Sequence, residues 1–318
     1  MNTPRILVLG SSGFIGRAFC RAALDAGCGP NLVKHVRRND QLDTAHEDVE
    51  WRELDLVQAD LAAYAELIDG VRPDVVVNCV GLTSGTGDDL HAANVDVVTK
   101  LIATLAGRPH VHLIQIGSAA EYGVQPRGVP VAETALAAPC GVYALSKYES
   151  TRRLMDSVAA GRINVTILRV FNPLGRHSPA ATLAGSAAAL FDQAIRNDWS
   201  EVHLGNLDTW RDYVDTRDVA GATLAAAVAR HEGGVVLNVG RGQPVQSRHL
   251  ITSLAAIAGF TGRIGESRAG SERSPVVEWQ CADITAIRDQ LRWQPRYSTA
   301  DSLHDLWDAV RNNSPALR

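Results

Sequence analysis

Residues 5–19, RILVLGSSGFIGRAF, constrain this chain more than any other segment. An apolar run leads into Gly10, Gly13 and Gly16, spaced three apart, and then into an apolar stretch of helical character. A strand, a glycine turn and a helix in that order form the opening of a βαβ unit. Glycines permit a tight turn and let backbone N–H groups and the helix N-terminus approach a pyrophosphate. The spacing is GxxGxxG rather than GxGxxG, and a glycine-rich strand–helix turn can also exist with no ligand.

The remainder alternates in the same way. Strands are expected at 5–9, 32–36, 74–79, 111–116 and 163–170, and helices at 14–26, 59–69, 90–106 and 144–160. VVVNCV is apolar on both faces, as a buried parallel strand must be, with Pro73 before it and Gly81 after it as punctuation. This alternation predicts an α/β fold, a Rossmann-type doubly wound parallel sheet, with a smaller α+β substrate-binding lobe. Residues 1–172 are assigned to a dinucleotide-binding domain, to which 213–240 return. Residues 173–212 and 241–318 are assigned to the substrate-binding lobe.

Ser118, Tyr143 and Lys147 carry the candidate chemistry. The Tyr and Lys lie four apart in VYALSKYES, on one face of a helix. An ammonium beside a phenol favours the phenolate and lowers its pKa. Such a phenol can give or take the proton of an alcohol or ketone. Ser118 follows the apolar run VHLIQIG and can supply a second hydrogen bond to the same substrate oxygen. The set points to hydride-transfer chemistry at a C–OH/C=O centre. YxxxK alone is usually a solvated Lys beside a half-buried Tyr; the glycine turn is what gives the pair meaning.

Together these motifs resemble the extended short-chain dehydrogenase/reductases, in the nucleotide-sugar epimerase, dehydratase and reductase branch. The resemblance runs nearly end to end: GSSGFIG, Asp55-Leu56, NCVG at 78–81, Asn94, SAAEYG at 118–123, YALSK at 143–147, LRVFNPLG at 168–175, WRDYVDTRDVA at 210–220 and ADITAIRDQLRWQP. It implies an enzyme with a nicotinamide cofactor and a nucleotide-diphosphate sugar substrate. Cofactor contacts are implied for Gly10, Gly13, Phe14, Ile15, Gly16, Asp55, Leu56, Cys79, Val80, Gly81, Asn94, Tyr143, Lys147 and Val170. Substrate contacts are implied for Thr83, Ser118, Asn172 and Arg211, the arginine as a planar clamp on the diphosphate. Asp55 could equally cap the next helix.

Cofactor choice is read at the end of the second strand, in LVKHVRRND. An acidic residue there binds the ribose 2′-OH of NAD, whereas arginine accommodates the 2′-phosphate of NADP. Arg37 occupies that position and Arg38 follows, so NADP(H) is preferred and NAD(H) remains possible. The other reading leaves both arginines solvated and gives the ribose to Asp40.

The reaction is narrowed by what is missing. Dehydratases of this kind resemble a Thr-Asp-Glu run where this chain has Ser118-Ala119-Ala120, and alanine does no acid–base work. Glu121 is shifted by one and, in a strand-like backbone, would point to the other face. Two enzyme readings survive, an NADPH-dependent 4-ketoreductase of a 4-keto-(deoxy)hexose and an NAD-dependent 4-epimerase. A non-catalytic dinucleotide sensor is a third reading, but such relatives lose the Tyr or the Lys.

A net charge of −4 offers no basic field for nucleic acid or an anionic membrane. Ten scattered histidines and five cysteines without CxxC predict no metal site. The cysteine usage and the absence of a leader or long apolar run predict a cytoplasmic protein. Helix 90–106 carries apolar residues at 95, 98, 101, 102 and 105, and helix 144–160 carries Leu154, Met155 and Val158. The resemblance implies that these helices pair across a two-fold axis as a homodimer. Otherwise the stripes cover only their own sheet.

Overall fold

The computed structural model describes residues 4–28, 32–36, 50–266 and 277–313, with the 32–36 segment described in its backbone. The first half runs β1 (Ile6–Leu9), α1 (Phe14–Asp25), β2 (Leu32–Val36), β3 (Glu50–Glu53), α2 (Leu61–Val71), β4 (Val75–Asn78), α3 (Gly87–His91), α4 (Val97–Leu105), β5 (His112–Ser118), α5 (Val142–Ala159) and β6 (Asn164–Val170). The second half runs β7 (Pro173–Leu174), α6 (Leu183–Arg196), β8 (Glu201–Leu204), β9 (Trp210–Asp212), β10 (Val214–Asp215), α7 (Thr216–Ala229), β11 (Gly234–Val239), β12 (Pro244–Gln246), α8 (Ser247–Ala258), β13 (Arg263–Glu266), β14 (Trp279–Gln280), α9 (Thr285–Leu291) and α10 (Thr299–Asn313).

Seven parallel strands form the central sheet in the order β11-β6-β5-β4-β1-β2-β3. The chain reverses its direction of growth between β1 and β4, the switch point at which open α/β sheets bind ligands. Helices cover both faces, so the expected doubly wound α/β fold is present. Val75, Val76 and Val77 are fully buried, and burying each such side chain contributes about 1.5–3 kcal/mol. One apolar cluster joins the sheet to α1, α7 and α9 through Phe19, Ala222 and Ile287. A second joins the other face to α2, α4 and α5 through Tyr64, Leu101 and Leu154. A third is built on α6, α8 and α10, around Phe191, Leu254 and Trp307.

Two expectations need correction, and one strand was missed. Strand β3 was not anticipated; EWRE is polar, and it forms at the sheet edge, where one side needs no apolar cover. The single helix expected over 90–106 is three pieces, α3, a π-helical segment at 92–96, and α4. Its expected stripe faces inward: Val95, Val98, Leu101 and Leu105 are buried, as is Leu154 on α5, and all but Val95 belong to the cluster that covers this chain's own sheet.

The smaller sheet, β12-β9-β14, is tied to the central sheet by one buried carboxylate. Asp212 has no solvent exposure and accepts backbone N–H bonds from Arg241 at 2.7 Å, Gly242 at 2.8 Å and Ala282 at 3.0 Å. Each buried amide left unsatisfied costs about 1–3 kcal/mol. Asp212→Ala is expected to lower unfolding stability by roughly 3 kcal/mol or more, and Asp212→Asn, which keeps one acceptor, by less. Urea denaturation of the three proteins checks the order.

Candidate active site

The glycine turn is dictated by contact. Gly10 has φ +72°, and a Cβ on it would lie 3.0 Å from the Val80 amide nitrogen. A Cβ on Gly16 would stand 2.1 Å from the Gly10 carbonyl oxygen, which no side chain can do. Gly13 donates its N–H to Gly10 O at 3.1 Å and is the N-cap of α1. The turn therefore lies flat against the end of β4. Gly10, Gly13, Asp55, Leu56, Cys79, Val80 and Gly81 line one cleft at the C-terminal ends of β1 and β4. Ser12, Leu54 and Val57 complete its wall and were not anticipated. A cradle of backbone that Cβ atoms would fill, at a helix N-terminus, fits the pyrophosphate of a dinucleotide.

Asp55 does not cap the next helix; Asp60 does, accepting from Ala63 N at 2.9 Å. The Asp55 carboxylate instead accepts from Val57 N at 3.0 Å and Gln58 N at 3.3 Å, which fixes the turn that carries Leu56. Phe14 and Ile15 follow in the first turn of α1, half-buried. Val170 is buried at the end of β6, paired in register with Ser118. Arg37 and Arg38, and Asp40 with them, lie outside the described residues.

Tyr143 and Lys147 occupy the first turns of α5, the Tyr half-buried and the Lys 6% exposed. Lys147 Nζ donates to the Ile116 carbonyl at 2.6 Å, and a Cβ on Gly81 would lie 3.9 Å from that nitrogen. Burial holds the Lys147 pKa below the ordinary lysine value, while Glu121 and then Cys79 oppose that effect. Burial also pushes the Cys79 thiol well up, which makes it a poor nucleophile.

The π-helical segment has a purpose in this arrangement. Asn94 accepts from Leu82 N at 2.9 Å and donates to Leu82 O and Ser146 Oγ, each at 2.9 Å. Ser146 Oγ donates to Tyr143 O at 2.8 Å, and Ser150 Oγ donates to the Asn94 carbonyl. Asn94 thus ties the loop that holds Gly81 and half-buried Thr83 to the helix of Tyr143. Ser146 and Ser150, three and seven positions beyond Tyr143, were missed. Polar residues buried on the Tyr–Lys face were the available signal.

Ser118 caps the 3-10 turn Ala119–Tyr122; its hydroxyl accepts from Ala120 N at 3.2 Å. Glu121 is in this turn rather than in strand-like backbone, and it is fully buried. Asn172 and Arg211 are both engaged with backbone. Asn172 Nδ2 donates to Asp212 O at 3.0 Å, and Arg211 donates to Trp210 O at 2.9 Å and to Val277 O. Arg211 is buried, which lowers its pKa. Among the described residues no group of His, Cys, Asp and Glu could hold a metal ion, and no helix is long and apolar enough to cross a membrane.

A cleft at the sheet's switch point, a buried lysine one turn from a tyrosine, and a serine at the end of β5 are the arrangement expected of a nicotinamide-dependent enzyme of the short-chain type. The chain belongs to the NAD dependent epimerase/dehydratase family, whose model matches residues 6–240. It is similar to dTDP-6-deoxy-L-talose 4-dehydrogenase (NAD(P)(+)) of Kitasatospora kifunensis, at 34% identity over 308 residues, covering 96% of this chain and 95% of the relative. It is similar to UDP-glucose 4-epimerase of Azospirillum brasilense at 27% identity, covering 95% and 90%. The UDP-glucose 4-epimerase of Stenotrophomonas maltophila, solved with bound NAD and formylated UDP-arabinopyranose, has the same fold. It aligns with a TM-score of 0.84 over 98% of each chain, at 23% identity.

Proposed function

We propose that this protein reduces a nucleoside-diphosphate 4-keto-deoxyhexose at C4 with NADPH, and that Tyr143 is the proton donor. The observation that carries the reading is the buried Lys147 ammonium, one turn from Tyr143 and beside the cleft, with alanine at both positions where a dehydratase needs acids. The relative with 34% identity is a 4-dehydrogenase of a dTDP-6-deoxy sugar, whose reverse direction is this reduction.

Tyr143 gives its phenolic proton to the oxygen at C4. The Lys147 ammonium stabilises the phenolate left behind and would bond the ribose of a bound nicotinamide. Ser118 donates a hydrogen bond that orients the carbonyl oxygen. Asn94 keeps the Gly81 loop and the Tyr143 helix in register. A bound nicotinamide dinucleotide would supply the hydride. Gly10, Gly13, Phe14, Ile15 and Gly16 would hold its pyrophosphate end, Asp55 and Leu56 its adenine, Cys79, Val80, Gly81 and Val170 its path across the sheet, and Arg37 and Arg38 a 2′-phosphate. On the substrate side Thr83 would meet the sugar, and Asn172 and Arg211 the diphosphate, Arg211 by exchanging carbonyl bonds for phosphate oxygens. Segments 173–212 and 241–318 would form the lobe that brings Arg211 over the 1–172 and 213–240 domain, which carries Thr83 and Asn172. Five free thiols suit a reducing cytoplasm.

The second reading is a 4-epimerase with retained NAD, favoured by the relatives of that activity. The keto sugar would then turn over within the site. A bound-cofactor assay separates the two: tightly held NAD in purified protein supports the epimerase, and turnover of added NADPH supports the reductase.

We also propose a homodimer through α4 and α5; on α5, Val142 and Leu145 are 55% and 52% exposed. Its occupant is a second copy, related by a two-fold axis.

Tyr143→Phe is expected to lower kcat about 10²–10⁴-fold, the usual contribution of general acid catalysis, with little change in thermal melting. Near wild-type turnover in that variant would remove the mechanism. Arg37→Asp adds repulsion to a 2′-phosphate and an acceptor for a free 2′-OH, so the kcat/KM ratio should swing from NADPH toward NADH. A wild-type preference for NADH would overturn the assignment. Light scattering should give about twice the chain mass of 34.1 kDa; a value near the chain mass excludes the dimer.

A further inference from the structure

The mechanism above leaves one buried carboxylate unused. Glu121 has no solvent exposure, yet it is bonded to the backbone of Ser118 at the candidate site. Its Oε1 accepts from the Ser118 amide at 2.8 Å, and its Oε2 accepts from Arg169 Nε at 2.9 Å, an ion pair in which Arg169 is also buried. The Arg169 guanidinium lies over the Tyr122 ring, 4.5 Å from its centroid. Room for the carboxylate is made by Gly117: a Cβ there would stand 2.9 Å from Glu121 Oε1. Lys147 Nζ rests on Ile116 O. Glu121 and Lys147 therefore meet three consecutive residues at the end of β5, 116 through 118.

We propose that Glu121 is a positioning residue for this site, holding the Ser118 backbone in place and setting a buried carboxylate beside the end of β5 on which Lys147 rests. The proposal rests on the reading of Tyr143 and Lys147 as the proton-transfer pair.

The charges that face each group are few. Among the described residues, Lys147 is faced by Glu121 from the 3-10 turn and by the Cys79 thiol from the end of β4. Glu121 is faced by Arg169, Tyr122 and Lys147. The carboxylate is the strongest anion in the set, because the burial-raised Cys79 thiol stays neutral. Burial opposes the ammonium, and Glu121 is the first of the groups that favour it. A neutral lysine would leave the Tyr143 phenolate without its counter-charge. Arg169 completes the arrangement by satisfying the second carboxylate oxygen at 2.9 Å, so that the buried carboxylate is paired.

Charge and scaffold can be separated by two variants. Glu121→Gln keeps an acceptor for the Ser118 amide but removes the charge and leaves Arg169 unpaired, so it should melt lower than the native protein. Glu121→Gln with Arg169→Gln removes both charges and should recover much of that melting temperature. In the reductive direction the alkaline limb of kcat should move to lower pH in both variants, by on the order of one unit, as expected for loss of a nearby opposite charge. The sign follows from linkage: without the carboxylate the lysine loses its proton at lower pH, and the acid form of the site is depleted sooner. If the limb returns to its native position when stability is recovered, or does not move in either variant, Glu121 is only a scaffold residue and the proposal is overturned. The Tyr143→Phe measurement stands apart from this test. Undiminished turnover there would fail the Tyr143 mechanism itself, whereas a displaced limb in the Glu121 variants is read only against a Tyr143-dependent activity.

Discussion

Everything at this site depends on a parallel sheet that is buried on both faces. Such a sheet leaves the chain no polar surface except at the ends of its strands, and right-handed crossovers bring the C-terminal ends of β1, β4, β5 and β6 to the same edge. The order reverses between β1 and β4, and there the two outgoing turns part to leave a cleft. Gly10 lies against Val80 because nothing larger fits between them. Loss of that approach would separate the glycine turn from Cys79, Val80 and Gly81, and with it the floor on which a pyrophosphate could rest.

The second tier of organisation is polar and buried. Asn94, Ser146 and Ser150 join two helices and a loop through hydrogen bonds of 2.8–2.9 Å and a shorter one to the Asn94 carbonyl. Each group in the network has a partner, which is the condition under which buried polar atoms rigidify a site rather than weaken it. The network also explains the π-helical segment: the extra residue in the turn directs the Asn94 side chain at Leu82 while its carbonyl receives Ser150. The 3-10 turn after β5 does similar work through Ser118, Glu121 and Arg169. Asp212 is its counterpart in the smaller sheet, where it fixes the strand that carries Arg211 and, through its carbonyl, Asn172.

Much of this was legible in the sequence. The strands expected at 5–9, 32–36, 74–79, 111–116 and 163–170, the glycine turn, and the tyrosine and lysine on one helix all followed from apolar periodicity and spacing. Strand β3 was not legible, because a polar edge strand takes its stability from its neighbour's hydrogen bonds rather than from its own pattern. The stripe on helix 90–106 was legible as a stripe but not as to what it covers; a buried face looks the same whether it meets its own sheet or another chain. Glu121 was visible as an acid one place out of register, and the strand-like backbone assumed for it was wrong.

The sequence by itself determined the fold class and the types of group at the site, because those depend on local pattern: period, glycine position, and the four-residue spacing of Tyr143 and Lys147. Only the tertiary structure decided which groups meet. Lys147 rests on Ile116, thirty-one positions away, Tyr122 bonds Asn238 across 116, and Gln280 bonds Ala119 across 161. Such pairings are set by the order of strands in the sheet and by the volume that glycines leave open. Neither quantity is carried by any single segment, so the charge balance around Lys147 appears only once β5, β6 and α5 are packed together.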